Sequence, residues 1–184
     1  EWSEYLANYY QNGANNKELI YWRNITKQLE NSKVTFDKEV LSTIKDSQFT
    51  IKEEIASKLT ALARKNLSMS PNEALLTVLV RAFVILLNRK DISVLIESHG
   101  RPELNEQIDV TRTVGWFTAL FPMVFKNIGE NCLDDLKIIK ESLRLVPNNG
   151  VGYDIARMNN LLELSYNEPL ITCLLYTSPS PRDL

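Results

Sequence analysis

The sequence predicts an α/β fold, and three observations carry that expectation. Thr50-Ile-Lys-Glu53 and Ser70-Pro71-Asn-Glu73 both set a hydroxyl residue three positions before a glutamate. In that pattern the hydroxyl accepts from the third helical amide and the carboxylate returns to the cap amide. Ile92 to Ile96 form a continuous apolar run rich in β-branched side chains, the mark of a strand covered on both faces. Helical spacing resumes at 133–145 after a second strand-like stretch, so helices alternate with strands.

In chain order, residues 1–13 and 16–30 set Trp2, Tyr5, Tyr9, Tyr10, Tyr21 and Trp22 among polar residues. Both stretches read as helices lying on a larger surface. Residues 31–50 are polar and irregular, a loop leading to a short strand near "SQFTI". After the first capping box, Ile55, Leu59, Leu62 and Ala63 make one apolar face, giving an amphipathic helix to about Asn66. The second box opens a helix to about Asn88 with Pro71 at its first position, where the missing N–H costs nothing. This helix is apolar nearly all round and is expected at the centre of the core.

"TVGWFTALFPMVF", residues 113–125, reads as a long second strand in which Pro122 demands an edge, a bulge or a break. "PNNGVG" at 147–152 is turn material, and a further helix is expected from about Tyr153 to Leu164. From Cys173 the chain reads "CLLYTSPSPRDL", without period and rich in Pro and Ser. It looks like translated adapter sequence, so residues 173–184 are expected to be a non-native tail and 1–172 the folded unit.

Composition narrows the function classes. The 184 residues carry a net charge of −2 with Lys and Arg spread along the chain, which argues against the clustered basic footprint of a nucleic-acid binder. The most apolar segment, residues 74–87, is too short to span a bilayer and holds Arg81 at its centre. Cys132 and Cys173 have no metal-ligand spacing and fit a reducing, cytoplasmic compartment. A lone histidine, His99, makes poor material for a metal site.

The stretch that holds most chemistry is "VLIESHGRPEL", residues 94–104. If the chain stays extended, Glu97, His99 and Arg101 line one face just past the strand end, where clefts of α/β proteins open. The same residues also suit a solvated turn in which Gly100 supplies an unusual backbone angle. Trp116 and Phe117 suit ligand stacking, though aromatic residues in a strand are ordinarily core. Arg112 is expected to cap a strand start or pair with Asp109. The glycines of "PNNGVGY" lack the preceding strand and following lysine of a phosphate cradle, which leaves turn geometry as their explanation.

Taken together and in order, these stretches resemble the epimerization domains of nonribosomal peptide synthetases. "IESHGRPEL" is similar to that family's E-G-H-G-R-E motif, and "TRTVGWFTALFPMVF" to R-T-V-G-W-F-T-x-x-Y-P-x-x-L. "PNNGVGYD" is similar to P-x-x-G-x-G-Y-G, and "NEALLTVLV" more loosely to D-x-L-L-x-A. Ser98, Pro102, Phe121, Asp154 and Glu73 depart from the family letters, while Glu97 and Arg101 keep theirs.

The resemblance implies a chloramphenicol-acetyltransferase-like fold of two α/β lobes in a V, with a tunnel between them. The family's H-H-x-x-x-D-G and F-N-Y-L-G motifs do not occur in these residues. The chain is therefore expected to be the C-terminal lobe, incomplete at both ends, with the missing N-terminal lobe and a peptidyl carrier protein as partners. No cofactor is expected to bind directly, since the substrate arrives as a thioester on the carrier's phosphopantetheine. The implied reaction inverts the α-carbon of that aminoacyl or peptidyl group by deprotonation and reprotonation. Glu97 and Arg101 are the implied catalytic residues, and His99, Gly100, Arg112, Trp116 and Tyr153 the motif residues along the tunnel. A condensation domain of the same fold, or a non-catalytic carrier-docking module, stands as the alternative.

Overall fold

The computed structural model describes residues 1–11, 15–32, 47–101, 104, 108–163 and 171–173. Its elements run α1 (Trp2–Ala7), α2 (Asn16–Ser32), α3 (Glu53–Leu67), α4 (Pro71–Leu86), β1 (Ile92–Ser98), β2 (Ala119–Phe125), α5 (Cys132–Arg144), α6 (Val151–Met158) and β3 (Thr172–Cys173). A short 3₁₀ turn, Pro147–Gly150, precedes α6. Helix and strand mix as the sequence predicts.

The strands form one sheet in the order β2-β1-β3, antiparallel between β1 and β2 and parallel between β1 and β3. The β1–β2 register pairs Ile92 with Phe125 and Ser98 with Ala119. Pro122 stands opposite Leu95, and the Leu95 amide donates to Ile171 O at 2.8 Å on the other side of β1. The Leu95–Pro122 pair is thus a non-hydrogen-bonded pair of the ladder, where β2 loses nothing by having no amide proton. Of the options left open for Pro122, the edge is the one realised among the described residues.

Alternation along β1 sends Ile92, Val94 and Ile96 into the core with Phe125, Met123 and Phe121 of β2 beside them. Fully burying one such side chain stabilises the fold by about 1.5–3 kcal/mol. Trp22 sits at the centre of this cluster, its ring 5.8 Å from Phe121 and 5.3 Å from Tyr153. The aromatic helix expected to lie on a surface therefore contributes a principal core residue.

The second capping box forms as written. Ser70 Oγ accepts from Glu73 N at 3.2 Å, and Glu73 Oε2 accepts from Ser70 N at 2.5 Å. The first does not. Helix α3 begins at Glu53 behind Lys52, with no side-chain cap, and residues 47–52 form no strand. Acidic Glu53 and Glu54 in its first turn, with Arg64 and Lys65 in its last, favour this start through the helix dipole without a hydroxyl cap.

Helix α4 is less enclosed than its composition predicts. Ala74, Leu76, Thr77, Val80 and Val84 are buried, whereas Val78, Ile85 and Leu86 are exposed. Arg81 forms an ion pair with Asp135, whose carboxylate also accepts from the Gly129 amide at 3.1 Å. Asp135 is buried, so this pair joins α4 to the first turn of α5 from inside. Among the described residues no helix is long and apolar enough to cross a membrane.

Three boundaries differ from expectation. The first helix ends at Ala7, and the last long one runs 151–158 rather than 153–164. Cys173, assigned from sequence to the tail, pairs with Ile96 in β3; residues 174–184 lie outside the described ones.

Candidate functional site at the end of strand β1

The predicted second strand, 113–125, is ordered as a strand only from Ala119. Its first half is taken by a loop held from the side by one residue, Arg101. The Arg101 guanidinium donates to Val110 O, to Thr113 O at 2.8 Å and to Gly115 O at 3.2 Å. Its carbon lies 4.0 Å from the centroid of the Phe117 ring, a cation–π distance. These contacts divert the 110–117 segment away from the ladder.

The turn that brings Arg101 there is specified locally. Gly100 adopts φ +60° and is packed on Phe117, such that a Cβ would stand 1.5 Å from the Phe117 carbonyl oxygen. His99 Nδ1 accepts from the Arg101 amide at 3.0 Å, which places the ring proton on Nε2 if the ring is neutral. Ser98 Oγ donates to Asn149 O at 2.6 Å, joining the strand end to the 147–150 turn. The extended alternation therefore stops at Ser98. Glu97, His99 and Arg101 do not share one face, because the left-handed glycine turns the chain between them.

Glu97 is the penultimate residue of β1, half-buried and opposite Leu120. By strand alternation it lies on the face opposite to Ser98 and Ala119. A cleft of about 410 Å³ opens beside this end of the hairpin, between α1, the 115–119 segment and α6. Gly100, Trp116, Phe117 and Ala119 contribute to its wall along with Trp2 and Asp154. Of the predicted residues, Gly100, Trp116 and Phe117 border it. Glu97 is on the other face of the hairpin.

The remaining predicted positions divide. Trp116 is 85% exposed because it belongs to the loop and not to a strand, so the core expectation for it fails. Arg112 is exposed in a turn that ends before β2 begins at Ala119. Asp109, its expected partner, accepts from Thr111 Oγ1 at 2.6 Å and Thr111 N at 2.8 Å, and the hydroxyl bond above all holds the Asp109 carboxyl below its usual range. Tyr153, expected along a tunnel, is 1% exposed and stacked edge-on to Trp22; a large aromatic on the buried side of α6 is drawn to the core. Among the described residues no group of three or more His, Cys, Asp or Glu is placed to hold a metal ion.

One buried polar cluster has no motif that announces it. Glu18, 5% exposed, accepts from Tyr9 Oη at 2.7 Å, Trp22 Nε1 at 3.1 Å and Asn148 Nδ2 at 2.8 Å. Asn148 and Asn149 adopt left-handed backbone angles and Gly150 φ +84°, and a Cβ on Gly150 would meet Phe121 Cδ1 at 1.8 Å. The cluster thus anchors the "PNNG" turn, which agrees with reading its glycines as geometry. The available signal was Glu18 four residues before Trp22, adjacent positions on one helix face.

Residues 1–179 match the family described as Condensation domain. The chain belongs to the condensation-domain family. This condensation-domain chain is 35% identical over 162 residues to surfactin synthase subunit 1 of Bacillus subtilis (strain 168), a match covering 85% of the chain and 4% of that protein. It is 30% identical over 167 residues to tyrocidine synthase 1 of Brevibacillus parabrevis, covering 88% of the chain and 15% of that protein. Among solved structures, the epimerization domain from the third module of tyrocidine synthetase B superposes with a TM-score of 0.65 at 26% identity, covering 91% of this chain and 38% of that one. The first condensation domain of the CDA synthetase gives a TM-score of 0.61 at 14% identity, covering 92% of this chain and 36% of that one. The condensation-domain chain thus has the chloramphenicol-acetyltransferase-like fold and spans a small part of its curated relatives' length.

Proposed function

We propose that this chain is the C-terminal lobe of an epimerization domain in a nonribosomal peptide synthetase. The observation that carries the reading is the Glu97-Ser98-His99-Gly100-Arg101 segment, which sets a half-buried carboxylate at the end of β1 and follows it with a left-handed glycine turn that docks Arg101 on the 110–117 loop. The 26% identity to the tyrocidine epimerization domain supports it.

The substrate in this reading is an aminoacyl or peptidyl thioester on the phosphopantetheine of a carrier protein, processed in the cytoplasm. A base removes the α-proton, the C–H electron pair moves into the thioester carbonyl as an enolate, and an acid returns a proton to the opposite face. Glu97 is the acid/base group on one side. Its counterpart on the other side belongs to the N-terminal lobe. Each such group contributes about 10²–10⁴-fold to the rate.

The test uses a complete domain carrying this sequence, with its loaded carrier in deuterated water. Incorporation of α-deuterium and loss of configuration are expected, and Glu97→Gln is expected to lower both by about 10²-fold or more. Gln keeps size and hydrogen bonding but exchanges no proton. A Glu97→Gln domain that epimerises at the parent rate overturns the assignment.

The family match itself favours a second reading, peptide-bond formation by a condensation domain. Donor and acceptor carriers supplied together separate the two: a new peptide bond without α-deuterium supports condensation.

A further inference from the structure

We propose that Arg101 is a positioning residue for the epimerization assigned to this domain: by clamping the 110–117 loop to the turn after β1, it fixes the strand end that carries Glu97. The inference rests on the epimerization reading and assigns Arg101 a part different from the catalytic one its motif implies.

A guanidinium offers five N–H groups in one rigid plane. Here Nη1 is spent on Val110 O and Thr113 O, Nη2 on Gly115 O, and one face on the Phe117 ring. A side chain held by that many fixed partners is a strut. Its own backbone is fixed as well, since the Arg101 amide donates to His99 Nδ1 and Gly100 is pressed on the Phe117 carbonyl. On the strand side, Ser98 Oγ donates to Asn149 O, and Glu97 and Ser98 pair with Leu120 and Ala119. Turn, loop and strand end therefore form one connected body with Arg101 at its joint. A displacement of a catalytic group by about 1 Å costs on the order of 10²-fold in rate, so a joint four residues from Glu97 is a place where geometry governs turnover.

The clamp and a charge role make different forecasts for lysine. Lysine keeps the positive charge but replaces the planar fork by a point donor that cannot serve three carbonyls and stack on a ring. The experiment compares Arg101→Ala, Arg101→Lys and Phe117→Leu with the parent in a complete domain carrying this sequence. It measures hydrogen exchange of peptides covering 108–118, then kcat, KM and the pH–rate profile of α-deuterium incorporation on the loaded carrier.

Both Arg101 variants are expected to speed exchange in 108–118, including the Thr113 amide that donates to Val110 O, by about 10-fold or more through local opening. Their kcat is expected to fall about 10-fold to 10²-fold with KM nearly constant and the pH–rate limbs unmoved. Phe117→Leu leaves the arginine in place and is expected to move exchange and kcat in the same direction by less. It also carries the test if the Arg101 variants fail to fold.

Rescue of kcat by lysine, a displaced pH–rate limb, or exchange in 108–118 at the parent rate overturns the proposal. If the parent itself exchanges no α-proton, the epimerization reading fails and the positioning proposal fails with it. Faster loop exchange in the variants would then establish the clamp as a structural feature alone.

Discussion

Gly100 faces the carbonyl oxygen of Phe117 at a distance that leaves no room for a side chain: a Cβ would lie 1.5 Å from that oxygen. Because the obstacle is backbone and the φ is +60°, no rotamer change relieves it. Gly100→Ala is expected to cost more than the roughly 1 kcal/mol of left-handed backbone strain alone and to separate the 99–101 turn from the loop. Chemical denaturation of the complete domain checks this; a midpoint within error of the parent would contradict the packing described.

Asp135 is buried against Arg81 and the Gly129 amide. Asp135→Ala removes the partner of a half-buried cation and the acceptor of a part-buried amide together. Losses of about 3–5 kcal/mol accompany such breaks when the remaining charge is enclosed, and the partial exposure of Arg81 places this one toward the lower end. The double substitution Arg81→Met, Asp135→Leu is expected to recover much of the loss. Comparing the single and double variants by urea unfolding measures the coupling.

Burial, and the Glu18 carboxylate beside it, hold the Tyr9 phenol above its ordinary range, and burial pushes Tyr21 up from 10.0 to about 12. A pKa raised on folding means the folded state keeps its proton where the unfolded state has lost it. The associated stability is intact below pH 10 and is lost as pH rises toward 12. Unfolding is therefore expected to coincide with the share of tyrosinate absorbance that Tyr9→Phe and Tyr21→Phe remove from an alkaline titration. That share appearing below pH 10 with the fold intact would contradict this burial. Glu18→Gln, which turns an amide NH₂ toward donors, is expected to cost about 1–3 kcal/mol at neutral pH.

In the proposed reading, the chain on its own, without the opposite lobe, would supply one acid/base group where inversion needs two. Incubated with an aminoacyl carrier in deuterated water, it is expected to leave α-deuterium at the level of a control without protein. Exchange clearly above that level would overturn the two-lobe reading.

Much of this fold is legible in local sequence. The Ser70–Glu73 box, Pro71 and the β-branched 92–96 run are local signals, and local physics realised them as read. The Thr50–Glu53 box repeats the hydroxyl-to-glutamate spacing of its neighbour, yet the helix starts at its glutamate, behind Lys52 and with no side-chain cap. The strand expected from 113 failed in its first half for a nonlocal reason: the 110–117 carbonyls and the Phe117 ring are claimed by Arg101.

The sequence by itself determined the alternation of helix and strand, the helix starting at Pro71, the strand ending near Glu97 and the motif order that points to the family. Each depends on neighbours within a few residues or on letters alone. Tertiary structure alone decided that Trp22 and Tyr153 are core, that Trp116 is exposed, and that Glu97 and Arg101 part company at Gly100. Those outcomes rest on contacts between residues distant in sequence, such as Trp22 with Phe121 and Asn148 with Glu18, which no local pattern encodes.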